Sequence, residues 1–148
     1  MLSTTTLFFK FMVTTLIQGG KRFKAGSRPP EDAKLSLARG KPQSYGTATD
    51  NDNPKLKKAK LDDIRWVRLV LNDLENIPLG LIVFAASIAS NGDELINTVA
   101  LGVFTVSRIF HSIAYAYELQ PHRAIGWAGG VLAVSVAAIN GVWGALFV

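Results

Sequence analysis

The feature that most constrains this chain is the run from Ala124 to Val148, 25 residues without a single charge. At about 1.5 Å per helical residue, such a run crosses a hydrocarbon core of about 30 Å. It is the extreme of a wider division. Residues 77–148 hold five charges (Asp93, Glu94, Arg108, Glu118 and Arg123), whereas residues 21–76 hold 21. Soluble globular domains rarely segregate charge in this way. A net charge of +5 would ordinarily raise nucleic-acid binding, but 13 of the 16 Lys and Arg residues lie between Lys21 and Arg68, in one block beside apolar segments. That is the pattern of a membrane protein's cytoplasmic loop, and no nucleic-acid partner is expected.

The pattern predicts an all-α membrane protein with four transmembrane helices in one domain. Helix 1 covers about 2–24, a cytoplasmic loop about 25–61, helix 2 about 62–90, helix 3 about 94–117 and helix 4 about 122–147. Leu95 to Tyr117 is an apolar span interrupted by Arg108 and His111, and the short Asn91-Gly92-Asp93-Glu94 turn before it forces a helical hairpin. Pro78 lies inside helix 2 and removes a backbone hydrogen bond, so a kink is expected near Asn76-Ile77. Asp62 or Asp63 is the expected N-cap of that helix. Arg28-Pro29-Pro30, Gly40, Pro42, Gly46 and the run Asp50-Asn51-Asp52-Asn53-Pro54 mark the loop, with Lys55, Lys57, Lys58 and Lys60 as a basic cluster that could hold anionic membrane lipid. In helix 4, Gly129, Ala133, Ala137, Gly141 and Ala145, with Gly126 and Gly130, form a small-residue stripe that lets helix backbones approach closely. Asn140 is expected to bond across to another helix. Trp66, Trp127 and Trp143 read as interfacial anchors.

Ionisable side chains inside a span are expensive and by default face the bundle interior. Arg65, Arg68, Asn72, Glu75 and Asn76 share one face of helix 2, and Arg108, His111, Ser112 and Tyr115 share one face of helix 3. Glu75 and Arg108 are natural partners. For a lone charge, helix-to-helix glue would be the better reading. Several guanidinium groups, a carboxylate, an amide and a phenol near one cytoplasmic entrance exceed what glue requires, and they suit a small ligand bearing carboxylates and an amine. The chain has no cysteine, which excludes a disulfide framework, a thiolate metal site and a cysteine nucleophile. His111 and His122 lack ligand-spaced partners, so no metal is expected.

Two blocks, Arg68-Leu69-Val70-Leu71-Asn72-Asp73-Leu74-Glu75-Asn76-Ile77 and Ser107-Arg108-Ile109-Phe110-His111-Ser112-Ile113-Ala114-Tyr115, followed by Gln120-Pro121-His122-Arg123, closely resemble the MAPEG family. Within it they resemble the microsomal glutathione transferase type 1 branch. Lys10 falls where relatives carry a lysine in helix 1, while Val67 and Val70 stand where relatives often have arginine and histidine. The resemblance implies a homotrimer of four-helix subunits that binds glutathione between neighbours near the cytoplasmic face. It implies glutathione contacts from Arg68, Asn72, Glu75, Arg108 and Tyr115, and from Arg22 or alternatively Lys21. It gives Arg123 the role of stabilising the glutathione thiolate.

The function implied is a membrane-bound glutathione transferase acting on lipophilic electrophiles that arrive through the bilayer, with glutathione-dependent peroxidase activity as a further expectation. The alternatives are a lipid-mediator synthase or isomerase of the same family, or a non-catalytic lipid-binding membrane scaffold. The endoplasmic reticulum is the expected membrane, with the mitochondrial outer membrane as the alternative.

Overall fold

The computed structural model describes residues 1–47 and 53–147. Asp50, Asn51 and Asp52 of the loop-marking run lie outside the described residues, as does Val148. The chain forms four helices, α1 (Leu2–Ala25), α2 (Pro54–Ala89), α3 (Glu94–Ala116) and α4 (His122–Phe147), with no strand among the described residues. By length and composition, α2, α3 and α4 can each cross a membrane. α1 is not among them, because Lys10, Gln18 and the threonines at 4–6 and 14–15 dilute its apolar residues. The structure resolves into two compact units, Met1–Phe11 with Asn72–Val148, and Met12–Leu71.

In the first unit every helix contributes to one core: Leu7 from α1, Ile77 and Phe84 from α2, Ala100 and Phe104 from α3, Ala133 and Ala137 from α4. Polar groups lie inside this unit, among them Asp73, Ser87, Asn97, Arg108, His111 and Asn140. Large apolar side chains such as Leu79, Ile82, Val103, Leu132 and Ile139 point outward. This inverted distribution is stable only where the surrounding solvent is itself apolar.

α4 packs through glycine and alanine, with a register that differs from the expected stripe. The buried face is Gly126, Gly130, Ala133, Ala137, Asn140, Gly141 and Gly144, while Ala145 is exposed. Strict four-residue spacing drifts off a helix of 3.6 residues per turn, so Gly144 replaces Ala145 at the far end. The approach is close: a Cβ on Gly141 would meet Ser87 Cα at 2.7 Å, and one on Gly126 would meet His111 Cα at 2.9 Å. Asn140 bonds across to the N-cap of α3, where its partners are backbone groups. Its Oδ1 accepts from the Asp93 N–H at 3.1 Å and its Nδ2 donates to the Asp93 carbonyl at 3.0 Å. Asp93 in turn caps α3, its Oδ1 accepting from the Ile96 N–H at 2.9 Å. Ser87 Oγ donates to Asn97 Oδ1 at 2.8 Å, which ties α2 to α3 beside the same turn. The hairpin turn is thus held by side-chain amides that satisfy its backbone.

The second unit departs furthest from expectation. α2 begins at Pro54, eight residues before the expected start near 62. The signal is local. Asn53 Oδ1 accepts from the N–H groups of Lys55 and Leu56 at 3.1 and 3.3 Å, and Pro54 occupies the first helical position, where its missing N–H costs nothing. Asp62 and Asp63 are therefore mid-helix and not caps. Asp62 Oδ2 pairs with Lys21 Nζ at 2.6 Å, and Asp63 is buried. The segment expected as a plain loop carries two short 3-10 turns, Pro30–Lys34 and Ser36–Ala38. α1 ends in a Schellman motif at Gly26 (φ 71°), with Ser27 N–H to Arg22 carbonyl at 3.0 Å and Gly26 N–H to Phe23 carbonyl at 3.3 Å. Buried Gln43 then staples the loop to the helix, donating from Nε2 to the carbonyls of Phe23 (3.2 Å) and Lys41 (3.3 Å).

The corrected α4 register predicts a contrast. Gly141→Leu should destabilise the purified protein by several kcal/mol through overpacking against Ser87, on the order of 1–3 kcal/mol or more, whereas Ala145→Leu leaves the melting temperature of the solubilised protein unchanged. Equal effects of the two substitutions would refute the register.

Candidate functional site

The first unit is organised around one carboxylate. Asp73 is fully buried, with an exposure of 0%, and it carries two cations. Lys10 Nζ of α1 donates to its Oδ2. Arg108 Nη2 of α3 donates to its Oδ1 at 2.6 Å and to Asn72 Oδ1 at 2.7 Å. Asn72 is itself fixed by Asn76, whose Nδ2 donates to the Asn72 carbonyl at 2.8 Å. Two cations on one anion leave one net positive charge when all three are ionised. In a low-dielectric interior that surplus invites an anionic ligand.

Arg108 is 1% exposed and its Nε has no hydrogen-bond partner among the described residues. The side chain borders a cleft of about 160 Å³ with Asn76, Gly80, Phe104, Gly130 and Ser135. Beside it Gly80 is required, since a Cβ there would lie 2.6 Å from Phe104 Cζ, whereas one on Gly130 would meet Arg108 Cδ at 3.6 Å, an ordinary contact. The cleft is smaller than the ~300–1,000 Å³ typical of sites that enclose a whole ligand.

One turn further along α3, His111 Nδ1 lies 3.0 Å from the Arg123 carbonyl. A carbonyl has no proton to give, so Nδ1 carries the hydrogen and a neutral His111 leaves its Nε2 lone pair without a partner. The Tyr115 ring stands 5.7 Å from the His111 ring, and the Arg123 guanidinium sits 4.8 Å above Tyr115. Arg123 is in the first turn of α4, the positive end of the helix dipole, where a cation is disfavoured by about 0.3–1 kcal/mol. The aromatic face offsets part of that cost, and an anion beside both would offset more.

The first unit therefore brings together Asn72 with Arg108, and Tyr115 with Arg123. Glu75 does not join them. The expected Glu75–Arg108 pair is replaced by Asp73–Arg108, and Glu75 is exposed. The reason is helical phase: Leu69, Asp73, Ile77, Gly80 and Phe84 share the buried stripe, and Glu75 points away from it. Arg68, also exposed, and Arg22 belong to the second unit. There Arg22 Nη2 donates to the Ser27 carbonyl at 3.3 Å while its Nε is buried without a partner among the described residues, and Lys21 is engaged by Asp62. Asp73 and Lys10 are the members of the network that the expected contact set omits.

Asp73→Asn keeps the shape but strips the charge from beneath two cations, so it should cost about 3–5 kcal/mol of stability, with Lys10→Met recovering part of the loss in the double variant. Glu75→Gln should leave stability unchanged. Thermal unfolding of the solubilised variants checks both, and the reverse ranking would restore Glu75 as the partner of Arg108.

A family model described as the MAPEG family matches residues 1–143. No curated protein matches the chain significantly. Members of this membrane family are mostly glutathione-dependent enzymes, with glutathione transferase or lipid-mediator synthase roles. With three helices long and apolar enough to cross a membrane and a family match over nearly its whole length, the chain is an integral membrane protein that belongs to the MAPEG family.

Proposed function

We propose that the protein is a glutathione transferase of the microsomal type 1 branch, conjugating glutathione to lipophilic electrophiles dissolved in the bilayer. The observation that carries this reading is the surplus positive charge of the Lys10–Asp73–Arg108 cluster, whose Arg108 borders a small cleft and has an Nε without a partner among the described residues. Glutathione is an anion with carboxylate arms, and a guanidinium binds a carboxylate with two parallel N–H donors. In this reading Arg108 takes one carboxylate, Asn72 orients Arg108, and Tyr115 donates a hydrogen bond. Arg68, Glu75 and Arg22 complete the contacts on the strength of the resemblance. The small volume of the Arg108 cleft supports a site shared between copies, and we assign a homotrimer with α1 as its fourth span, the Lys10 charge being met by Asp73.

Arg123 acts on the thiol. A guanidinium within ~4–6 Å of an acid lowers its pKa by ~1–3 units, which converts a thiol that is mostly protonated at neutral pH into the nucleophilic thiolate. The thiolate sulfur then attacks the electrophilic carbon, forming the C–S bond as the leaving group departs. Reduction of lipid hydroperoxides by the same thiolate is the accompanying peroxidase activity. The type 1 Asn72-Asp73-Leu74-Glu75-Asn76 block favours the transferase over the lipid-mediator synthase, and the endoplasmic reticulum is the assigned membrane.

Conjugation of a chlorodinitrobenzene-type electrophile by purified protein tests the reading. Below the thiol pKa the rate follows the thiolate fraction and rises tenfold per pH unit. Loss of Arg123 raises that pKa, so Arg123→Gln should move the rate profile to higher pH by ~1–3 units and lower the neutral-pH rate at least tenfold. At high pH the variant should recover toward the parent rate. An unshifted profile would remove Arg123 from the chemistry, and the absence of turnover in trimeric parent protein would end the transferase reading.

A further inference from the structure

The second unit contains a pocket of about 360 Å³ that shares no lining residue with the Arg108 cleft. Gly20, Phe23 and Lys24 of α1 form one wall, and Leu37, Arg39 and Lys41 of the loop form another. Three of its lining side chains are cations and none is an acid. Among the described residues, no ion pair engages Lys24, Arg39 or Lys41. All three are exposed and border one cavity. We infer that this pocket seats the phosphate headgroup of an anionic phospholipid.

The loop holds the cations in place before any ligand arrives. Arg39 adopts a left-handed conformation (φ 50°, ψ 41°), unusual for a side chain of this size, and its N–H donates to the Ser36 carbonyl at 3.1 Å. Lys41 is fixed twice, by its N–H to the Ala38 carbonyl at 2.9 Å and by its own carbonyl to Gln43 Nε2. Gln43 also grips the Phe23 carbonyl, so the walls from α1 and the loop are joined beneath the pocket. A non-glycine residue in left-handed backbone costs about 1–3 kcal/mol and persists where its surroundings impose it.

The remainder of the lining decides between a lipid and a free anion. Phe23 and Ala38 of the lining are buried, while Leu37 is 67% exposed and Ala59 adds a further apolar group. An inorganic phosphate would use the cations and leave Leu37 in water. A phospholipid uses both, with its phosphate on Lys24, Arg39 and Lys41 and its glycerol and upper acyl segment against Leu37. The position along α1 suits this occupant, since the apolar run to Ile17 gives way at Gly20 to Lys21, Arg22 and Lys24, the sequence signature of a membrane–water interface.

Gly20 provides a test that leaves charge unchanged. A Cβ built there meets nothing within 4 Å, so Gly20→Leu adds volume to the pocket wall without displacing a neighbour. Full-length protein would be equilibrated in nanodiscs of phosphatidylcholine with a minority of phosphatidylglycerol, and the lipids retained after extraction counted by native mass spectrometry. Preferential retention of phosphatidylglycerol is expected, weakened roughly fivefold by Arg39→Gln or by Lys41→Gln and comparably by Gly20→Leu, with circular dichroism and melting temperature unchanged. Retention that falls with the charge variants but survives Gly20→Leu would reveal diffuse attraction and overturn the seated site. Inorganic phosphate that displaces the lipid at equal phosphate concentration would overturn the lipid as its occupant.

Discussion

The Asp73 carboxylate is the point on which the first unit depends. Burying an ion in an apolar medium carries a penalty of several kcal/mol, repaid only by close partners and complete hydrogen bonding. Lys10 and Arg108 supply the partners from α1 and α3, and Asp73 itself sits on α2. One anion therefore fixes three helices at one level. The proposed chemistry rests on the same contact, because a second cation on a single carboxylate leaves a net positive charge when all three groups are ionised.

Around that point, small residues do the positioning. Gly126, Gly130 and Gly141 bring α4 against α3 and the hairpin closely enough that the His111 ring reaches the Arg123 carbonyl, and Arg123 is left above Tyr115. At the far end of α4, the Asn140 amide pairs with both backbone groups of Asp93. A side-chain amide is among the few groups that can satisfy a turn's donor and acceptor together.

The apolar helices were legible because the signal is dense: Ala124 to Val148 has no charge to interrupt it. The start of α2 was not, since the lysines at 55–60 and the preceding Asp-Asn run read as loop, and the Asn53-Pro54 cap is a two-residue signal within that polar stretch. Asp73 was hidden for a different reason. A polar face drawn through Arg68, Asn72 and Glu75 describes the flank of α2, whereas the apolar stripe through Leu69, Ile77 and Phe84 passes directly over Asp73. A carboxylate on an apolar stripe is the stronger indicator of a buried ionic centre. Gln43 carried no such signal, because its partner Phe23, 20 residues away, becomes a neighbour only after the loop has folded.

The proposed ligand, glutathione, has carboxylate arms that a buried guanidinium can bind and carries the thiol that this chain does not supply. A lipid-mediator synthase would share that ligand and differ in its second substrate, whereas a non-catalytic scaffold would have no need of it. Calorimetric titration of glutathione into the purified full-length protein therefore bears most directly on the account. Saturable binding, weakened when Arg108→Lys replaces the planar fork with a point charge, is the predicted result. A folded, helical protein that takes up no glutathione would contradict it.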